Sequence, residues 1–349
     1  MRTTRSAGDL TGYVDLTIVR PLRREYALAV SGNCILVGDI GGTHARFAIV
    51  ERHGSIPMLR EQADLAEDTP SFVQTFERYL EGIDRQRVPD TVALAVAGPV
   101  CDGQVSLTNR NWQISEAELR SLGFRSAHLV NDFAALAYAA DRLGPSDLRC
   151  IGPDVAGCTD GTLTILGAGT GFGVSCLTRF RGVPVPLATE GGHIGFAPEG
   201  SEEIAILKTL GRRFGRVSVE RILSGPGLEN LSRALDEIAG RAVRPFSAAQ
   251  IVEHASQGDR DSRATLSMFC AIFGAVAGDI ALAHGARGGV LIAGGIAEKI
   301  EPYLMQGAFR ERFEAKGRLS SFVKSIPTRL IVNSSAALLG AARAAALSM

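Results

Sequence analysis

Apolar positions along this chain fall into two rhythms. Short uninterrupted runs rich in Val, Ile and Leu occur at 34–40 ("CILVGDI"), 45–50 ("ARFAIV"), 91–100 ("TVALAVAGPV"), 127–130 ("AHLV"), 162–169 ("TLTILGAG"), 288–298 ("GGVLIAGGIAE") and 329–333 ("RLIVN"). Bounded by Gly, Pro or Asn, these runs predict buried strands. Between them, 131–143, 201–215, 227–240, 263–285 and 335–347 space their apolar residues three and four apart and predict helices. Ser115 and Glu118 have the spacing of a capping box and predict a further helix through about Leu122. Strands alternating with helices imply an α/β class with mixed sheets. The turn-rich stretch 142–160 is the expected domain seam.

Two glycine-rich links sit between strands. Asp39-Ile40-Gly41-Gly42-Thr43 and Leu166-Gly167-Ala168-Gly169-Thr170 each place Gly-Thr after one apolar strand and before another. The echo predicts two similar hairpins in two related half-folds that face each other. Successive N–H groups of a tight Gly turn form a concavity for oxyanions. Other phosphate schemes fail on the residues: no Gly-Lys pair exists for a Walker A loop. The sixth position from Gly167 is Phe172, which breaks the dinucleotide fingerprint, and no His-Arg-Asp of a protein kinase occurs. A hairpin-type phosphate site remains. Only its first copy carries a carboxylate, Asp39, able to meet a metal ion.

Asp132 falls between the "AHLV" strand with Asn131 and the helix that follows, so it is placed at a strand end near a helix N-terminus. There it reads either as an N-cap or as a base whose ionised form the helix favours. Glu190 and His193 have the Glu-x-x-His spacing of a di-iron ligand pair. Two adjacent glycines lie inside that motif and no second copy exists, so an iron site is rejected. A Gly-rich loop that lets a ligand ring approach while Glu190 and His193 bond it is expected instead.

With 349 residues and 46% hydrophobic content, the chain has room for two domains and a substantial core. Thirty-seven basic residues balance thirty-seven acidic ones, so no global field draws it to nucleic acid or to a membrane. Six scattered cysteines have no zinc spacing and read as small hydrophobes in a reducing cytoplasm. Residues 1–33 are Arg-rich, with only Ala27–Val30 as an uninterrupted apolar stretch, and are expected to be a flexible extension rather than a signal peptide. The apolar run 268–278 stops at Asp279 and is expected to fall short of a membrane span.

In order along 34–349, "GDIGGTHARFAIV", "TNRNW", "LVNDFAA", "GAGTGFGVS", "EGGHIGFAPEG", "VSVERILSGPGL", "GGVLIAGGIAEK" and "LLGAA" resemble the bacterial glucokinase family in its non-ROK branch. The resemblance implies a two-domain actin-like (RNase H-like) kinase fold with mixed sheets and an interdomain cleft. It implies 34–142 plus 333–349 as the small domain and 143–332 as the large one. The implied reaction is ATP-dependent phosphorylation of glucose at its 6-hydroxyl, the first step of glycolysis. Asp132 would be the general base, and Asn109, Asn131, Glu190, His193 and Glu220 would bind the sugar. Gly38, Asp39, Gly41, Gly42, Thr43, Gly169, Thr170, Gly171, Gly294 and Gly295 would bind the nucleotide, with Asp39 orienting Mg²⁺ through water. A homodimer is the implied assembly. Gly195 and His44 depart from the family's usual Asp and Asn at those places.

Two other readings stand beside this one: a ROK-branch kinase for another hexose or an N-acetylhexosamine, and a non-enzymatic sugar-responsive or filament-forming relative. The ROK branch carries a Cys-rich zinc motif that this chain lacks. Residues 1–33 are too few, with Pro21 and several glycines, for a DNA-binding helix-turn-helix.

Overall fold

The computed structural model describes residues 34–41, 45–51, 58–65, 71–83, 87–107 and 111–348. The N-terminal extension, and the candidate residues Gly42, Thr43 and Asn109, lie outside them.

The strands are β1 (Cys34–Ile40), β2 (Ala45–Glu51), β3 (Met58–Leu65), β4 (Thr91–Val96), β5 (Gln104–Leu107), β6 (Trp112–Ser115), β7 (Ser126–Asn131), β8 (Leu148–Cys150), β9 (Leu163–Ala168), β10 (Phe172–Phe180), β11 (Val183–Thr189), β12 (Gly289–Ala293) and β13 (Thr328–Ile331). The helices are α1 (Phe72–Glu81), α2 (Glu116–Ser121), α3 (Asp132–Ala140), α4 (Gly200–Phe214), α5 (Gly225–Ile238), α6 (Ala248–Ser256), α7 (Arg260–His284), α8 (Gly295–Lys299), α9 (Glu301–Leu304), α10 (Ala308–Glu314), α11 (Ser320–Lys324) and α12 (Ala336–Leu347).

Two mixed sheets repeat one plan. The first has the order β3-β2-β1-β4-β7, and the second β11-β10-β9-β12-β13-β8. In each, three antiparallel strands are followed by two that run parallel to the innermost of the three. The Gly-Thr echo therefore marks two copies of one topology, with the glycine links joining the equivalent β1–β2 and β9–β10 pairs. Fully buried strands read as continuous apolar runs because both faces are covered. All six residues of β4 are buried, as are all five of β12.

The helix α3 lies between the sheets. Its "DFAALAYAA" run has small residues on several sides. Ala135 packs with α12 against Ile35, Val37, Ala93 and Ala95 of the first sheet, whereas Ala137 and Ala140 pack on Ile165, Leu177 and Leu291 of the second. Close approach depends on Gly340 of α12, where a Cβ would stand 1.8 Å from the Ala135 carbonyl oxygen. Gly→Ala inside an exposed helix raises stability, by about 1 kcal/mol. Here the added methyl meets backbone, so Gly340→Ala is expected to lower stability by about 1–3 kcal/mol through overpacking. A lowered Tm in calorimetry checks the sign.

Some expectations need correction. The turn-rich 142–160 stretch holds a strand as well as turns, since β8 pairs with β13, and three residues at a sheet edge carry no readable period; the expected seam is not affected. The apolar run that pauses at Asp279 belongs to the 25-residue α7, long and apolar enough by length and composition to cross a membrane. Of its most apolar window, 67% is buried inside the protein, where Phe269 and Phe273 pack among Phe172 and Phe309. That burial marks α7 as a core helix. All six cysteines are free thiols, and Cys176 and Cys270 are buried.

Candidate active site

The site begins with β7, which delivers Asn131 and Asp132 to the first turn of α3. Asn131, not Asp132, is the N-cap: its Oδ1 accepts from the N–H groups of Phe133 at 3.0 Å and Ala134 at 3.1 Å. Its Nδ2 donates to the Gly98 carbonyl at 3.2 Å, which leaves one amide hydrogen for a ligand. Asp132 Oδ1 accepts the Phe133 N–H at 2.9 Å. The same turn is fastened to the second sheet, where Ser175 Oγ donates to the Phe133 carbonyl at 2.7 Å. A Cβ on Gly173 would stand 1.9 Å from the Phe133 ring. Asp132 is thus fixed from both sheets.

Its ionisation differs from the sequence expectation. A helix N-terminus favours the carboxylate, but burial opposes it and wins. Burial first, then the negative charge of Asp39 and, less strongly, that of Glu190, push the Asp132 carboxyl from 3.8 up to about 7, against the Phe133 N–H hydrogen bond.

Asp39 lies directly opposite Arg46 across the β1–β2 pair, and Arg46 Nη2 donates to Asp39 Oδ2 at 2.5 Å. Arg46 Nη1 also donates to the Ser334 carbonyl at 2.9 Å, which ties the hairpin to the entry of α12. On the facing side, Glu298 of α8 is held above the ordinary carboxylate range by burial, with Arg46 and Lys299 acting the other way. Arg46 and Glu298 are site members that the motif reading missed. Arg46 had a readable signal: pairing Ile40 with Ala45 around the four-residue link sets it across from Asp39.

The second hairpin closes with Gly169 N–H donating to the Gly171 carbonyl at 2.8 Å. Gly225, at the start of α5, donates to the Gly169 carbonyl at 2.8 Å. Gly294 has φ +94 and packs so tightly that a Cβ would stand 2.4 Å from the Ala168 carbonyl oxygen, which brings α8 beside the hairpin. Gly38 is likewise accounted for by packing. A Cβ there would meet Leu94 at 2.6 Å and Phe47 at 3.0 Å, so packing inside the first sheet accounts for its size.

Glu190, His193 and Glu220 gather at the other side of Asp132. His193 Nε2 is 3.9 Å from a Glu190 oxygen, and Nδ1 is 4.0 Å from a Glu220 oxygen. Both separations exceed hydrogen-bond distance. The trio therefore keeps donor and acceptor capacity for a polyhydroxy ligand, and the Glu190 and His193 side chains are well exposed. Residues Gly191–His193 form one 3₁₀ turn, as the rejected helix required. The glycines of that turn are explained by the protein, not by a ring approaching them: a Cβ on Gly192 would be 1.9 Å from the Phe172 carbonyl oxygen, and one on Gly191 2.9 Å from Val174.

The family model described as Glucokinase matches residues 36–348. The glucokinase of Caulobacter sp. strain K31 is 53% identical over 309 residues, covering 88% of this chain and 93% of that protein. The crystal structure of a glucokinase from an Antarctic psychrotroph superposes with TM-score 0.80 at 35% identity, covering 90% of this chain and 99% of that one. A ROK-family glucokinase from Streptomyces griseus, solved with glucose and AMPPNP, superposes with TM-score 0.61 over 90% of this chain and 99% of its own; at 19% identity it shows the shared fold alone. With this sequence match and this two-sheet architecture, the chain belongs to the glucokinase family.

Proposed function

We propose that the cleft transfers the γ-phosphoryl group of ATP to the 6-hydroxyl of glucose, with Asp132 as general base. The observation that carries this reading is the placement of Asp132 at the first turn of α3, held by the Phe133 N–H and near enough to both Asp39 and Glu190 to feel their charges. A base with a pKa near the working pH combines availability with proton affinity. Asp132 keeps Oδ2 outside the Phe133 hydrogen bond, so that oxygen takes the hydroxyl proton. Glu190, His193, Glu220, the spare Asn131 amide hydrogen and Asn109 hold the ring. Gly41, Gly42 and Thr43 on one wall, with Gly169, Thr170 and Gly171 on the other, donate to the phosphates, and Gly294-Gly295 let the nucleotide pass close to the strand end. In this reading the walls are 34–142 plus 333–349, a unit supported by the packing of α12 on the first sheet, and 143–332.

Asp39 is a single carboxylate with Arg46 already upon it, and among the described residues no three His, Cys, Asp or Glu side chains cluster as a metal cage. Such a donor suits Mg²⁺, which retains waters and shares itself with phosphate oxygens. Bound there, Mg²⁺ supplies neutralisation of the phosphate charge. A cytoplasmic setting and a homodimer complete the proposal, and sedimentation velocity tests the latter.

A coupled assay across glucose, fructose and N-acetylmannosamine, with ATP, ADP or polyphosphate, and with and without Mg²⁺, tests the reaction. The highest kcat/KM is expected for glucose with ATP and Mg²⁺. A higher value for another sugar or donor would replace glucose or ATP in the reading.

A further inference from the structure

We infer that Glu220 is a positioning residue that couples the sugar pocket to the second phosphate hairpin, so that each substrate tightens the other through one carboxylate. The inference rests on the proposed reaction.

The Phe172 peptide is the junction. Its N–H donates to Glu220 Oε2 at 2.8 Å, and its carbonyl lies under Gly192 of the Glu190–His193 turn. A Cβ on Gly171, the last residue of the phosphate hairpin, would stand 2.5 Å from the same Glu220 oxygen. The other Glu220 oxygen faces His193 Nδ1 at 4.0 Å, in the sugar-binding trio. One carboxylate thus has one oxygen committed to the hairpin and one open to the sugar.

The backbone around Glu220 acts as a strut between the same two loops. Val219 N–H donates to the Ile194 carbonyl at 2.9 Å, next to His193. Ser224 Oγ donates to the Glu220 carbonyl at 2.8 Å, and Gly225 N–H to the Gly169 carbonyl at 2.8 Å. A hydroxyl that bonds the open oxygen restrains the carboxylate, and with it the Phe172 N–H at the base of the hairpin. Linkage makes the effect reciprocal: the factor by which glucose tightens the nucleotide equals the factor by which the nucleotide tightens glucose.

Calorimetry with glucose and magnesium-AMPPNP, each titrated alone and with the other saturating, reads that factor. In the wild type it is expected at about fivefold or more. His193→Ala should weaken glucose yet keep the factor, because only a sugar contact is lost. Glu220→Ala should bring the factor to about one, and Glu220→Gln, whose amide oxygen still accepts from Phe172, should retain most of it. Gly171→Ala leaves the other sugar-binding side chains in place and displaces the Glu220 carboxylate, so it should weaken glucose severalfold without nucleotide present and bring the coupling factor toward one. That variant keeps the test decisive where Glu220→Ala does not fold. A wild-type factor of one, a Glu220→Ala factor equal to wild type, or unchanged glucose affinity in Gly171→Ala would overturn the inference. Glucose turnover without coupling sinks the coupling alone, whereas absence of glucose turnover sinks the reaction beneath it.

Discussion

Asp132→Asn is expected to lower kcat by about a thousandfold while the protein stays folded and still binds glucose. General-base assistance contributes about 10²–10⁴ in rate. The Asn131 cap and the Ser175 hydrogen bond that place this turn do not involve the Asp132 side chain, so the geometry of α3 survives the exchange. An amide at 132 can still accept the Phe133 N–H, but it takes no proton from a hydroxyl. The stability change has a definite sign. The folded carboxyl sits at about 7 against an ordinary 3.8, so the fold favours the protonated form. Stability is therefore lost as pH rises from about 3.8 through about 7, and a neutral amide escapes that loss. At pH 8 the variant should melt at or above the wild-type temperature, with the gap closing toward pH 4. Turnover within tenfold of wild type would remove Asp132 from the role of base.

The second large effect is on pH dependence. The profile of kcat/KM is expected to have an acid limb near pH 7, because Asp132 must be ionised in the free enzyme to accept a proton. Well below that limb, activity falls about tenfold per pH unit. Asp39→Asn removes the strongest neighbouring charge that raises Asp132, so the limb should move to lower pH. It should remain above 3.8, since burial, the larger cause, is untouched. The same variant loses the proposed Mg²⁺ carboxylate, and kcat at the pH plateau should fall by about 10²–10³, the scale for deleting one electrostatic stabiliser. Glu190→Gln should move the limb in the same direction by less, since its charge is the smaller influence. A limb that stays at pH 7 in Asp39→Asn would separate Asp132 from the ionisation that governs the rate.

Local pattern made much of the frame legible. The uninterrupted apolar runs became β1, β4, β9 and β12, and the two Gly-Thr links join equivalent antiparallel pairs in two sheets of one topology. The short β8 and the β5–β6 pair were not readable, because their stability comes from partners distant in the fold or from a pairing of only four residues. The ionisation of Asp132 is not legible in the sequence for a similar reason. Its helix position is written in the neighbouring letters, but the burial and the Asp39 charge that outweigh it come from elsewhere in the fold. Glycine roles divided along the same line. At Gly38, Gly191 and Gly192 the space is taken by the protein itself, a fact available only once β2, β4 and β10 are in place.

The position of α12 has a consequence for biosynthesis. Residues 336–347 cover the face of the first sheet that carries Ile35, Val37, Ala93 and Ala95, on strands translated long before them. Until residues 336–347 clear the ribosomal tunnel, that apolar face waits without its lid and is open to chaperones or to aggregation. A nascent polypeptide stalled before residue 336 should thus stay unable to phosphorylate sugar, although every side chain assigned to the reaction has already been made.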